Sequence, residues 1–133
     1  MKQMLLQQKY PVFHLEIPKE ETSCQSVDDV IAALQARIDA EPNVAEIAIF
    51  DHFAHTSAFG GDIHPEIVAA KNLVFCFGYK LPDPVMLAVR PRSIGVSDMG
   101  NRFVISFLEA PMEIATTRME AWCKEIADLA PAA

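Results

Sequence analysis

Three of the chain's four histidines, His52, His55 and His64, crowd into one short stretch together with Asp51 and Asp62. Imidazole and carboxylate together suit Zn, Fe or Ni. On a helix that begins at Asp51, His52 and His55 stand three positions apart and share a face. The glycine pair Gly60-Gly61 lets the chain fold His64 back toward them. These three are the candidate metal ligands, although the spacing H-x2-H-x8-H matches no established metal signature. A plainer reading has the same histidines cap or line a helix in a polar loop and open a turn before Pro65. A further one makes His52 a general acid or base. Its partner would then be Cys76, if neighbouring strands bring thiol and imidazole together.

The remaining reactive residues are scattered. Cys76 sits inside VFCFG, where a thiol packs as a small hydrophobe. Cys123 lies beside Trp122 on an apolar helix face, and Cys24 precedes a helix in a stretch expected to be exposed. Arg90, Arg92 and Arg102 form the one basic concentration. Arg92 and Arg102 are expected to face each other across a hairpin, where they would suit an anionic ligand or a carboxylate such as Glu109 or Asp98. Gly60-Gly61-Asp62 lacks the Lys-Ser/Thr of a phosphate loop and reads as a tight turn.

The elements that position these residues come from a chain of 133 residues, 51% hydrophobic and 22% charged. That is one globular domain, 1–133, large enough to hold its own core. With 11 basic against 18 acidic residues the net charge is −7, which disfavours nucleic acid and anionic membrane as partners. Only a few apolar residues precede Gln7 and Gln8, too few for a secretory signal. The longest apolar-rich run, Asn72 to Tyr79, is far short of a membrane span. An odd cysteine count without CxxC gives no disulfide framework. A soluble, cytoplasmic protein with reduced thiols is expected.

Along the chain, residues 10–17 alternate as a half-buried strand, with Phe13, Leu15 and Ile17 on one face. Val27, Val30, Ile31, Leu34 and Ile38 recur at helical spacing, with Ser26 as N-cap and Pro42 beyond the end. That predicts a helix over about 26–40. Residues 44–50 form a strand. Asp51 then caps the short helix HFAHTSAF, and His64-Pro65 begins a helical turn through EIVAAK. NLVFCFGY is apolar on both faces, as in an element covered on both sides or central in its sheet. LPDPVMLAVRP reads as a short helix with Asp83 at the N-cap and Pro84 at the first position. RSIGVSD and RFVISFLE flank MGN as a hairpin. After Pro111 a last helix buries Met112, Ala115, Met119, Trp122 and Ile126. Two long amphipathic helices over one sheet make a two-layer α+β sandwich.

The middle of the chain resembles the family called domain of unknown function 302. The resemblance rests on IFDHFAHTSA, with Asp51, His52 and Ala58, and on VFCFGYKLPDPVM, with Phe77, Gly78, Leu81, Pro84 and Met86. The outline continues through RPRSIGVSDMGNRFVISFLEAP and covers about residues 44–118. Tyr79-Lys80 replaces the family's Asn-Pro, and Phe107 replaces a tyrosine, which also fits a divergent sister family. The resemblance implies a TBP-like sandwich in the order β-α-β4-α, with short helices inserted between the second, third and fourth strands, and often a homodimer. It implies no established reaction and leaves the cofactor unknown.

Together these readings give a small-ligand or partner-binding dimer without catalytic residues. Its site is expected where the loop from Asp51 to His64 meets the segment from Phe77 to Met86. The ligand-binding candidates are Asp51, His52, His55, Gly78 and Met86. The alternative is an enzyme that uses His52, with Cys76 or a bound metal.

Overall fold

Ser26 opens the first helix as its spacing predicts. Its hydroxyl accepts from the Asp29 amide at 3.1 Å, while the Asp29 carboxylate accepts from the Gln25 amide at 3.0 Å. The helix α1, Val27–Asp39, buries Val27, Val30, Ile31, Leu34 and Ile38. A computed structural model describes residues 1–127 and sets α1 against a sheet of six strands. These are β1 Lys2–Leu6, β2 Tyr10–Pro18, β3 Val44–Asp51, β4 Ala69–Phe77, β5 Arg92–Asp98 and β6 Arg102–Leu108. The other helices are α2, His52–Ala58, and α3, Glu113–Ala127.

The sheet runs β1-β2-β6-β5-β4-β3 with every neighbouring pair antiparallel. Helix α1 carries the chain from β2 across to the edge strand β3, and β3 to β6 then step back until β6 lies beside β2. Alternation along the strands decides the layers. Phe13, Ile17, Leu73, Phe75, Phe77, Ile94, Val96, Phe103, Ile105 and Phe107 are buried on one face. Helices α1 and α3 cover that face, α3 with Ala115, Met119, Trp122, Cys123 and Ile126. Trp122 lies parallel to Phe77 at 5.7 Å and edge-on to Phe75 at 5.6 Å. The chain is the expected α+β sandwich of two layers.

Several local expectations need correction. β1 is a strand that the sequence reading leaves out. His64-Pro65 opens a single turn, not a helical run, and β4 already begins at Ala69. Only one face of β4 meets the long helices: Val74 and Cys76 are half-buried on the side away from α1 and α3, so Cys76 is not a core residue. Cys24 is buried, and burial raises its thiol pKa. Arg92 and Arg102 lie at opposite ends of the β5–β6 hairpin, because the turn at Met99–Asn101 puts Asp98 opposite Phe103. Arg102 instead meets Glu16 at 3.7 Å and Glu66 at 4.0 Å.

Candidate functional site

The antiparallel register of β3 and β4 separates the two halves of the expected site. Asp51 pairs with Lys71 at one end of this ribbon, and Val44 pairs with Phe77 at the other. From Lys71 to Gly78 is roughly 23 Å at about 3.3 Å per residue. Asp51, His52 and His55 therefore do not meet Gly78 and Met86. Cys76 is roughly 16 Å along the strand from Lys71 by the same rise, so it does not meet His52 either.

At the histidine end, the Asp51 carboxylate accepts from the Ala54 amide at 2.9 Å and caps α2, as expected. His52 and His55 both pack edge-on against Phe50, at 4.7 and 5.1 Å, and His55 also packs on Phe59 at 4.9 Å. His64 turns elsewhere: its Nδ1 accepts from the Glu66 amide at 3.1 Å and closes the local turn. His52, Asp62 and His64 line a shallow depression of about 190 Å³, which His55 does not reach. Among the described residues no three His, Cys, Asp or Glu side chains stand together as a metal-holding group.

The opposite end holds a cleft of about 560 Å³. Its wall is the strap between Gly78 and Pro91. The Gly78 amide donates to the Asn43 carbonyl at 2.6 Å, and a Cβ at Gly78 would stand 3.4 Å from that oxygen. The strap then turns through a 3-10 segment, Pro84–Val89, capped by Asp83, whose carboxylate accepts from the Val85 amide at 2.8 Å. A β-bulge between Glu46 and Ala48 breaks the β3 register at Ile47, which lines the cleft. Ile47, Leu81 and Leu87 line the space while 55%, 65% and 61% exposed, and Cys76, Tyr79, Lys80 and Arg90 complete it. Met86 lies behind this wall in a second cavity of about 20 Å³ that shares Phe77 and Arg90 with the cleft. Gly78 and Met86, both carried by the resemblance, thus belong to one end of the sheet.

A family model described as "Family of unknown function (DUF6858)" matches residues 1–128. The chain belongs to this family. A search of curated proteins returns no match. Among solved structures, this DUF6858 chain is similar to the crystal structure of an uncharacterized conserved protein DUF302 from Bacillus stearothermophilus. The two are 17% identical, with 87% of this chain and 88% of that chain covered and a TM-score of 0.57. The resemblance read from residues 44–118 therefore extends, as a fold, over most of the chain, and a TBP-like sandwich fits it.

The electrostatics of the cleft end are unusual for so acidic a DUF6858 chain. Ion pairs among the described residues engage Lys19, Arg37, Lys71, Arg102, Arg118 and Lys124. Lys80, Arg90 and Arg92 have no acidic partner among those residues. Arg92 is only 8% exposed, and burial lowers its pKa. It donates Nη1 to the Val89 carbonyl at 3.1 Å and Nη2 to the Leu108 carbonyl, while its Nε has no partner. Those two carbonyls tie the end of the strap to the end of β6 through one guanidinium. Sequence reasoning missed Ile47, Lys80 and Leu87 as site residues. The available signal was VMLAV, an apolar run too short to bury all its sides and held between prolines.

Proposed function

We propose that this protein is a small-ligand-binding homodimer, with its ligand seated in the cleft between Ile47 of β3 and the strap from Gly78 to Pro91. The carrying observation is a space of about 560 Å³ with exposed aliphatic walls, within the usual range of small-molecule sites. Leaving Ile47, Leu81 and Leu87 in water is unfavourable, and an apolar ligand covers them. Nile red, a neutral apolar dye, tests this. Its fluorescence is expected to rise saturably with the wild-type protein and to stay flat with Leu87→Glu, at unchanged far-ultraviolet circular dichroism. No rise with the wild type overturns the reading.

The second copy is proposed to cover the sheet face opposite α1 and α3, beside the corner that α2 occupies and short of the cleft at Cys76. That face carries Val12, Val74, Ser93, Gly95, Ser97, Val104 and Ser106, all half-buried. Its charged Glu16 and Arg102 are paired with each other at 3.7 Å, and Lys2 stands at its β1 edge. Six strands at about 4.8 Å spacing and roughly seven residues at about 3.3 Å span some 29 by 23 Å, roughly 650 Å² before side-chain relief. A stable dimer buries about 800 Å² on each partner. Light scattering is expected to give twice the chain mass of 14.7 kDa, and Val104→Arg to give the single-chain mass. A monomeric wild type overturns the dimer.

A further inference from the structure

We infer that the occupant of the cleft is an amphipathic carboxylate, with its acid group on Arg90 and Lys80 and its apolar body along Ile47, Leu81 and Leu87. This rests on the cleft being the ligand site and adds the chemistry of the ligand.

Charge distribution is the first observation. The chain has 18 acidic and only 11 basic residues, so a place where cations gather without an acid stands out. Lys2, Lys9, Lys80, Arg90 and Arg92 are the basic residues without an ion pair among the described residues. Lys2 and Lys9 belong to the exposed first hairpin, whereas the other three gather at the cleft end.

The nearby acids are turned away from these cations. Asp83 caps the Val85 amide at 2.8 Å. Glu46, beside the bulge, accepts from Gln35 Nε2 of α1 at 2.6 Å. The positive end of the cleft thus has no counter-ion among the described residues. Arg90 is half-buried, and its planar fork suits a carboxylate held by two parallel hydrogen bonds. Lys80 is exposed and adds a point charge.

The second observation is the division of labour in the lining. Cationic groups come from the strap ends, at Lys80 and Arg90, and aliphatic groups from the bulge and the strap. A ligand with only a charged head leaves Leu81 and Leu87 in water. A purely apolar ligand leaves Arg90 facing hydrocarbon, which costs the desolvation of a charge. An aliphatic acid satisfies both.

Isothermal titration at low salt with octanoate, 1-octanol and acetate tests the inference. Octanoate is expected to bind about tenfold more tightly than octanol, the margin of a charge-assisted pair. Acetate is expected to give no measurable binding. Arg90→Gln is expected to bring octanoate to within about threefold of octanol, the share left to Lys80, with octanol binding unchanged. Lys80→Gln, at an exposed position, is expected to weaken octanoate alone, by about threefold. Octanol binding as tightly as octanoate overturns the carboxylate while leaving the cleft as the site. So does undiminished octanoate binding by Arg90→Gln. If neither octanoate nor octanol binds, the cleft reading itself fails, and the carboxylate with it.

Discussion

Cys123 lies wholly inside the interface between α3 and the sheet, and burial, with a smaller contribution from Glu120, pushes its thiol up from 9.0 to about 12. The consequence is a loss of stability at alkaline pH. Below pH 9 both the folded and unfolded chains keep this proton. Above it the unfolded chain releases a proton that the folded chain retains, so rising pH favours unfolding. The slope approaches about 1.4 kcal/mol per pH unit, and between pH 8 and 10.5 the loss from this one thiol is about 2 kcal/mol. Lysines and tyrosines titrate in the same range, so Cys123→Ala provides the reference. Urea unfolding at 25 °C is expected to show the wild type's advantage over Cys123→Ala shrinking by about 2 kcal/mol from pH 8 to pH 10.5. Parallel pH profiles for the two proteins would refute the burial of this thiol and the α3 register built on it.

Thiol labelling with Ellman's reagent should modify one cysteine per native chain rapidly, Cys76 in the cleft, and all three only in urea; rapid labelling of native Cys24 or Cys123 contradicts their burial. Asp51→Ala should cost about 1 kcal/mol in urea unfolding through loss of the α2 cap, and an unchanged midpoint contradicts that role. Trp122→Ala, which removes the ring stacked on Phe77, should cost about 3–5 kcal/mol by the same assay, and a cost near zero contradicts the packing of α3.

How much of this was legible in the residues depended on whether the information was local. Ser26, Asp51 and Asp83 each cap the helix or turn they precede, because a short polar side chain before an apolar run satisfies amides two or three positions on. The strict alternation of RSIGVSD and RFVISFL gave β5 and β6 nearly to the residue. Strand β1 was invisible for the opposite reason. Met4, Leu5 and Leu6 run consecutively and all stay exposed, and the turn to β2 uses Gln7 and Gln8 at φ 53° and 62°, where Gly or Asn would have announced it. Cys24 looked exposed because its neighbours are polar, yet the chain tucks it under α1, where its amide donates to the buried Thr22 hydroxyl at 3.2 Å.

The candidate site was misjudged by a long-range quantity. Asp51 and Gly78 both flank strands that pair with each other, which makes them look like neighbours. The antiparallel register sends one to each end of the ribbon. Cys76 misled in a related way: an all-apolar strand looks covered on both faces, but the long helices α1 and α3 cover one side only, and α2 lies at the other end of β4. The basic concentration at Arg90 and Arg92 was visible in the residues. Their lack of carboxylate partners among the described residues was not, because pairing depends on where Asp83 and Glu46 point.

A proton–nitrogen correlation spectrum of the labelled protein, recorded while octanoate is titrated in, tests most directly the claim that the site lies at the strap and not at the histidines. Shifts are expected at Ile47, Cys76, Gly78 to Leu81 and Leu87 to Arg90, with His52, His55 and His64 unmoved. Shifts gathered on Asp51 to His64, with the strap silent, would contradict it.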